Sequence, residues 1–228
     1  YGLNDFTDGK ADFLNPRKGN YLFGAKLSKE ELTNVPWHIC SVMVPFLAYF
    51  AYVGGGELFI LLLFMIVINI IYNYKPFRLK ERPPFEILIQ IGYVFTALFS
   101  ILLNDLEMLP WQTLLYLSLF AFQAHIAGEI MDIEPDKLVG KKTTAVLIGR
   151  KKAKLLMLFL LLFEAYILKF WFDDWVLSGF LAVFSLWLIL DIFVFFKEKP
   201  YSVKQMKIFG IAINLSAILS MIWVLYSG

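Results

Sequence analysis

Two sets of carboxylates share one spacing, although more than a hundred residues separate them. The first is Asp5, Asp8 and Asp12, within N-D-F-T-D-G-K-A-D (residues 4–12). The second is Glu129, Asp132 and Asp136, within G-E-I-M-D-I-E-P-D (residues 128–136). Positions i, i+3 and i+7 fall within about 60° of one another around an α-helix, so each triplet lines one face. Two such faces brought together offer hard oxygen donors, which Mg²⁺ takes and shares with substrate phosphates. The chemistry predicted by this spacing is the handling of a diphosphate. A solvated helix end is the plainer reading of either triplet alone. The repeated spacing argues against it, since Asp is otherwise disfavoured in helices.

The elements that must hold these carboxylates are membrane helices. The 228 residues are 59% hydrophobic with a mean hydropathy of +0.67, more apolar than an ordinary soluble domain. Apolar runs of about 17 to 22 residues, the length of a bilayer crossing, recur along the chain. Seven are read: Val35–Val53, Leu58–Tyr74, Phe85–Leu103, Trp111–Ile130, Ala153–Phe172, Trp175–Phe196 and Met206–Tyr226. Several carry Trp or Tyr near an end, as interfacial anchors do. A soluble helical core would need polar faces recurring every turn, and these runs lack them. The predicted fold is all-α: one polytopic transmembrane helix bundle over residues 1–228.

Basic residues alternate with the runs. They cluster at Lys10–Lys29, Lys75–Arg82, Lys137–Lys154 and Lys197–Lys207. The intervening turns, Gly54–Gly56, Asn104–Pro110 and Asp173–Asp174, carry none. Basic loops stay cytoplasmic, so both acidic triplets are expected on the cytoplasmic face and the C-terminus outside. Topology accounts for these loops, so the net charge of +2 is no sign of nucleic-acid binding. Lys141, Lys142, Lys151, Lys152 and Lys154 are read as topogenic or lipid-headgroup contacts. The single cysteine, Cys40, permits no disulfide within the chain and reads as a small packing residue.

These motifs resemble those of the UbiA superfamily of intramembrane prenyltransferases. The N-D-F-T-D-G-K-A-D segment matches the family's first Asp-rich signature, N-D-x-x-D-x-x-x-D. D-I-E-P-D (132–136) followed by G-K-K-T-T (140–144) is similar to its second, with the G-x-x-[ST] tail. Y-K-P-F-R-L-K (74–80) looks like the basic loop between them. A narrower resemblance, to the lycopene-elongase branch, is carried by N-P-R-K-G (15–19), R-L-K-E-R-P-P-F (78–85) and the second motif. The resemblance implies nine transmembrane helices with the first motif ending the second. Seven spans after the motif then leave two further apolar stretches expected upstream of Tyr1.

It also implies an activity: transfer of an isoprenyl group from an allylic prenyl diphosphate to a lipophilic acceptor, in a bilayer such as a bacterial inner membrane. Asp5, Asp8, Asp12, Asp132 and Asp136 would hold Mg²⁺, whose charge helps the diphosphate leave. Asn4, Tyr74, Arg78, Lys80, Glu129 and His125 are the further substrate-binding candidates, with Arg17 and Lys18 as second choices for the diphosphate. His125 lies one turn before Glu129. It either lines the acceptor pocket or accepts a proton, or donates a hydrogen bond to a neighbouring helix. Glu164, Asp191, Asn69 and Asn214 read as buried polar groups within spans, and Asp191 lies near enough to the cytoplasmic end to reach the interface.

Two rival functions can be weighed from the residues. A CDP-alcohol phosphotransferase would also start D-x-x-D-G, as Asp5, Asp8 and Gly9 do. It would then need Ala-Arg where Asp12-Phe13 stands, and both halves close in sequence. An ion-coupled transporter would place its carboxylates near the membrane midplane, not at one face beside basic loops. The identity of the acceptor cannot be read from the residues.

Overall fold

The computed structural model describes residues 2–227; in the last helix the side chains at 213, 216, 217 and beyond 218 lie outside the description. Among the described residues nine α-helices follow one another: α1 Gly2–Leu14, α2 Lys29–Asn73, α3 Phe85–Leu88, α4 Val94–Asn104, α5 Trp111–Leu138, α6 Thr144–Ile148, α7 Arg150–Trp171, α8 Trp175–Phe193 and α9 Val203–Ser227. A 3₁₀ turn over Ile89–Tyr93 joins α3 to α4. Among the described residues the nearest thing to a strand is one isolated bridge between Asn20 and Gly24. The all-α expectation holds.

α2 contains two of the predicted runs. A straight helix of its 45 residues would extend for about 65 Å, yet α1 touches both of its ends. Gly9 packs on Leu32 near the start, and the Thr7 hydroxyl hydrogen-bonds Asn73 Oδ1 at the finish (3.1 Å). The chain must therefore turn back midway, and it does so at Gly55, where φ is 67° and ψ −160°. That conformation is essentially confined to glycine. Phe50 and Phe64, on opposite sides of the turn, pack against Phe99 and Phe95 of α4, so both arms lie beside α4.

Four helical segments are long and apolar enough to cross a membrane: Lys29–Asn73, Phe85–Asn104, Trp111–Leu138 and Trp175–Phe193. Because α2 is folded in two, these account for five of the seven runs. The run Ala153–Phe172 lies in α7, which is punctuated by Lys154, Glu164 and Lys169 and does not meet that standard of length and composition. The run Met206–Tyr226 lies in α9, much of it beyond the described side chains.

The turns at one end of the bundle share a device. Gly55, Asp105 (φ 52°) and Asp173 (φ 52°) all adopt left-handed backbone, which Asp tolerates better than most residues. Trp111 and Trp171 stack edge to face there, centroids 5.0 Å apart. The basic segments meet at the other end. The interior is built on a periodic face of α5, Ile126, Ile130 and Ile133, set against Ala153, Leu160 and Ile167 of α7.

One polar contact inside this end was not expected. Lys154 and Asp191 are both fully buried and paired at 2.7 Å. Lys154 also donates to the Lys197 carbonyl (2.9 Å), and Asp191 accepts from the Tyr201 hydroxyl. Lys154 is thus no headgroup contact, and Asp191 does not reach for the interface. Each satisfies the other where an isolated charge would be costly. Asn69 and Asn214, also expected to be buried, are exposed and bond the Met65 and Gly210 carbonyls one turn earlier in their own helices.

Candidate active site

The two acidic motifs come together where α1, the end of α5 and three basic segments converge. The helical spacing works as predicted in α1: Asp5 and Asp12, two turns apart, share the Lys18 ammonium at 3.3 Å each. Asp8, buried between them, faces the rest of the protein. Its carboxylate meets Lys80 Nζ at 2.6 Å, Lys141 Nζ at 3.2 Å and Arg78 Nη2 at 3.9 Å. Lys141 reaches on to Asp136 at 3.8 Å. One ammonium therefore bridges the first motif to the second. The basic pattern alone suggested a topogenic or lipid-headgroup role for Lys141; its place one residue after Gly140 in the motif's tail was the available signal.

Asp132 is held differently. It accepts from Asn15 Nδ2 at 2.8 Å and pairs with the Arg17 guanidinium, which also lies 5.0 Å over the Phe23 ring. The segment after the first motif thus folds over the second. Arg17 and Arg78 each keep a buried Nε that finds no acceptor among the described residues. Two orphan cationic donors at this cap are what an anionic ligand would satisfy.

Lys80 is 2% exposed. Besides Asp8 it donates toward Asn4 Oδ1 (3.2 Å), Thr7 Oγ1 (2.6 Å) and Asn73 Oδ1 (3.2 Å). Four acceptors thus surround three N–H groups, so it ties the basic loop to α1 and α2. Arg78, in left-handed backbone (φ 42°), pairs with Glu81 at 2.8 Å. Tyr74 ends α2 in extended conformation, and its carbonyl accepts the Arg78 N–H at 2.7 Å, which shapes the loop.

The electrostatics divide the first triplet. Burial pushes the Asp8 carboxyl up, but the Lys141 and Lys80 ammonium groups more than offset it and hold it below the ordinary value. At Asp12 burial prevails over Lys18, and the neighbouring Asp8 and Asp5 add to it, so its pKa is raised. Burial lowers the Lys80 pKa despite Asp8. Burial also acts to lower that of Lys141, but Asp8 and Asp136 outweigh it and raise it.

Glu129 leaves its triplet. Its Oε2 accepts the Ala145 N–H (2.9 Å) at the start of α6. Its Oε1 lies 3.1 Å from His125 Nε2 without hydrogen-bond alignment. From the other wall, buried Glu86 accepts the Thr144 N–H (2.6 Å) and the Thr144 hydroxyl. Glu86 follows directly on the R-L-K-E-R-P-P-F segment, but nothing in its spacing pointed to this role.

Two cavities descend along α5 from this cap. One of about 440 Å³ lies among α5, α7, α8 and α9, with Ile130 and Met131 at its upper wall and Trp187, Phe184 and Phe209 within. Met131 Sδ is 4.0 Å from Arg17, which joins this apolar space to the charged cap. The other, about 410 Å³, is lined by His125, Gln90, Tyr93 and Ala97. Phe120 faces both. His125 is thus a cavity-lining residue.

Among the described residues no three acidic, His or Cys side chains gather as a metal cage; lysine and arginine partners hold the carboxylates instead. The donor set still suits Mg²⁺, being hard oxygen throughout, and Asp8 with Asp136 already converges on one cationic group.

A sequence model of the UbiA prenyltransferase family matches residues 1–218. A lycopene elongase/hydratase from Corynebacterium glutamicum is 27% identical over 168 residues, 72% of this chain and 58% of that protein. The C(50) beta-cyclic carotenoids biosynthesis protein LbtBC of Dietzia sp. (strain CQ4) is 28% identical over 156 residues, 67% of this chain and 36% of that one. The chain therefore spans little more than half the length of the first of these relatives. In three dimensions it is similar to a UbiA homolog from Archaeoglobus fulgidus, solved bound to GPP and Mg²⁺. The TM-score is 0.64 with 21% identity, covering 94% of this chain and 78% of that one.

Proposed function

The chain belongs to the UbiA prenyltransferase family, and on that premise we propose that it moves an isoprenyl group from an allylic prenyl diphosphate to a long, apolar acceptor within a membrane. The observation that carries this reading is the pair of acidic motifs joined through Lys141 directly above two cavities along α5. Mg²⁺ held by Asp5, Asp8, Asp12, Asp132 and Asp136 would supply the charge that stabilises the departing diphosphate.

The rest is done by the chain's own groups. Arg17 and Arg78, with their unused Nε donors, bind the diphosphate oxygens by charge-assisted hydrogen bonds. Lys18, Lys80 and Lys141 surround the same cap; Lys80 reaches the ligand only by releasing one of its four acceptors. The allylic C–O bond breaks, the diphosphate leaves with the electron pair, and the acceptor bonds to the allylic carbon and loses a proton. Asn4 accepts from Lys80 and orients it toward Asp8. His125 lines the smaller cavity, which would take the donor's prenyl chain, and Glu129 lies one turn nearer the cap. The apolar walls exclude the water that would capture the cation, and Phe120, facing both cavities, offers it an aromatic face.

The basic segments beside the cap support placement at the cytoplasmic face. The cavity among α5, α7, α8 and α9, walled by apolar and aromatic side chains, suits a hydrocarbon acceptor. The names of two relatives, a lycopene elongase/hydratase and a carotenoid biosynthesis protein, support a carotenoid-like polyene there. The test is diphosphate release by the purified protein in lipid nanodiscs, with prenyl diphosphate and candidate acceptors, with Mg²⁺ and after chelation. Release and a prenylated product only with Mg²⁺ are expected; transport of the substrate without bond cleavage would refute the reading.

A further inference from the structure

Between the second acidic motif and α6 runs a short strap, Gly140 to Thr143, and Lys141 is its second residue. At its start the Lys141 N–H bonds the Asp136 carbonyl (2.9 Å), and Gly140 turns the chain with φ 72°. At its end two buried carboxylates from different helices grip consecutive N–H groups: Glu86 takes Thr144 and Glu129 takes Ala145. The early N–H groups of any helix lack partners within it, so these acids complete α6 while fixing where the strap finishes. Thr144 is three residue steps beyond Lys141, a reach of about 10 Å at full extension. Releasing the far anchor would let Lys141 leave the position between Asp8 and Asp136.

We propose that Glu86 is a positioning residue for the reaction, holding Thr144 so that Lys141 stays between the two acidic motifs. The proposal rests on the prenyl-diphosphate reading above. Glu86 is 0% exposed and touches neither Asp8 nor Asp136 through any hydrogen bond or ion pair among the described residues. Its Oε1 bonds Thr144, the residue that follows the strap, and its Oε2 has no partner among the described residues. The role needs an acceptor oxygen and not a negative charge. Glutamine, of the same shape, keeps that oxygen for Thr144 and sets an amide where Oε2 now stands alone.

The full-length protein in nanodiscs is compared as wild type, E86Q, E86A, T144V, K141M and E86A/K141M. The readouts are KM for prenyl diphosphate, KM for acceptor, and thermal stabilisation by inorganic pyrophosphate with Mg²⁺. E86A should raise KM for prenyl diphosphate about tenfold, the size of a lost hydrogen bond to a charged group, and leave KM for acceptor unchanged. E86Q should restore it. E86A/K141M should be no worse than K141M, because two residues acting through one contact do not add. If E86A does not fold, T144V, which deletes only the hydroxyl, should show a smaller rise of the same kind. An E86Q as impaired as E86A, or additive losses in the double variant, would overturn the proposal. A wild type that fails to turn over prenyl diphosphate would overturn the functional reading instead. Pyrophosphate binding would then decide the role of Glu86, with the same order expected across the variants and the same two outcomes counting against it.

Discussion

Asp8 and Asp132 are each held by groups from other parts of the chain, and neither shares its partners with the other. Asp8 gathers Lys80, Lys141 and Arg78; Asp132 gathers Asn15 and Arg17. Asp8→Asn keeps an acceptor for Lys80 and should leave the protein folded, as Asp132→Asn should. Each is expected to reduce prenyl transfer by more than about 100-fold. The double variant should be no worse than either, since both dismantle one unit. Near-normal turnover in a single variant at saturating Mg²⁺ would contradict the two-motif site. At this scale the sequence was informative about the carboxylates and poor about their partners. Asp5, Asp8 and Asp12 are tied by helical geometry, a local property. Lys141 reaches Asp8, Asn15 reaches Asp132 and Glu86 reaches Thr144 across 58 to 133 positions, for which no periodicity exists.

The helices show the same division between local and distant causes. Each apolar run became helix, because in lipid the backbone must satisfy its own hydrogen bonds. The fold-back of α2 was legible as three consecutive glycines. Gly55→Ala would force a methyl group into φ 67°, ψ −160°, a strain of about 1–3 kcal/mol, and should lower the unfolding temperature in detergent; Gly56→Ala, in open space with ordinary φ, should not. The Lys154–Asp191 pair was not legible, since the two residues lie on different helices in separately apolar stretches. Lys154→Ala strands a buried carboxylate and should destabilise the protein by about 3–5 kcal/mol. The pair variant Lys154→Met with Asp191→Leu should recover most of that loss. Equal losses in single and pair variants would show that the ion pair itself is not the cause.

For the molecule as a whole, the alternation of basic and uncharged turns sorted the loops before any contact was known, and the basic segments do meet at one end, around the acidic motifs. Labelling of single cysteines from either side of the membrane tests the orientation. Gly19→Cys and Ser202→Cys should react from the cytoplasm, and Gly55→Cys and Asp105→Cys from outside. Reaction of residues 19 and 55 from the same side would show that α2 does not cross twice. What the alternation could not disclose is the pair of cavities, because α5 separates them by the way it packs rather than by its own composition.

The burial of Lys154 against Asp191 also bears on how the polypeptide enters the bilayer during synthesis. α7 emerges first, carrying Lys154 one turn from its start and Glu164 nearer its middle, and a charge within a spanning helix opposes insertion, by up to about 2.5–3.5 kcal/mol at the helix centre. α8, strongly apolar and joined to α7 by a turn of three residues (172–174), brings the carboxylate that neutralises Lys154. The two helices should therefore leave the translocon as one hairpin, with α7 waiting for α8. A nascent chain stopped after α7 should remain extractable by alkali, and one extended through α8 should not.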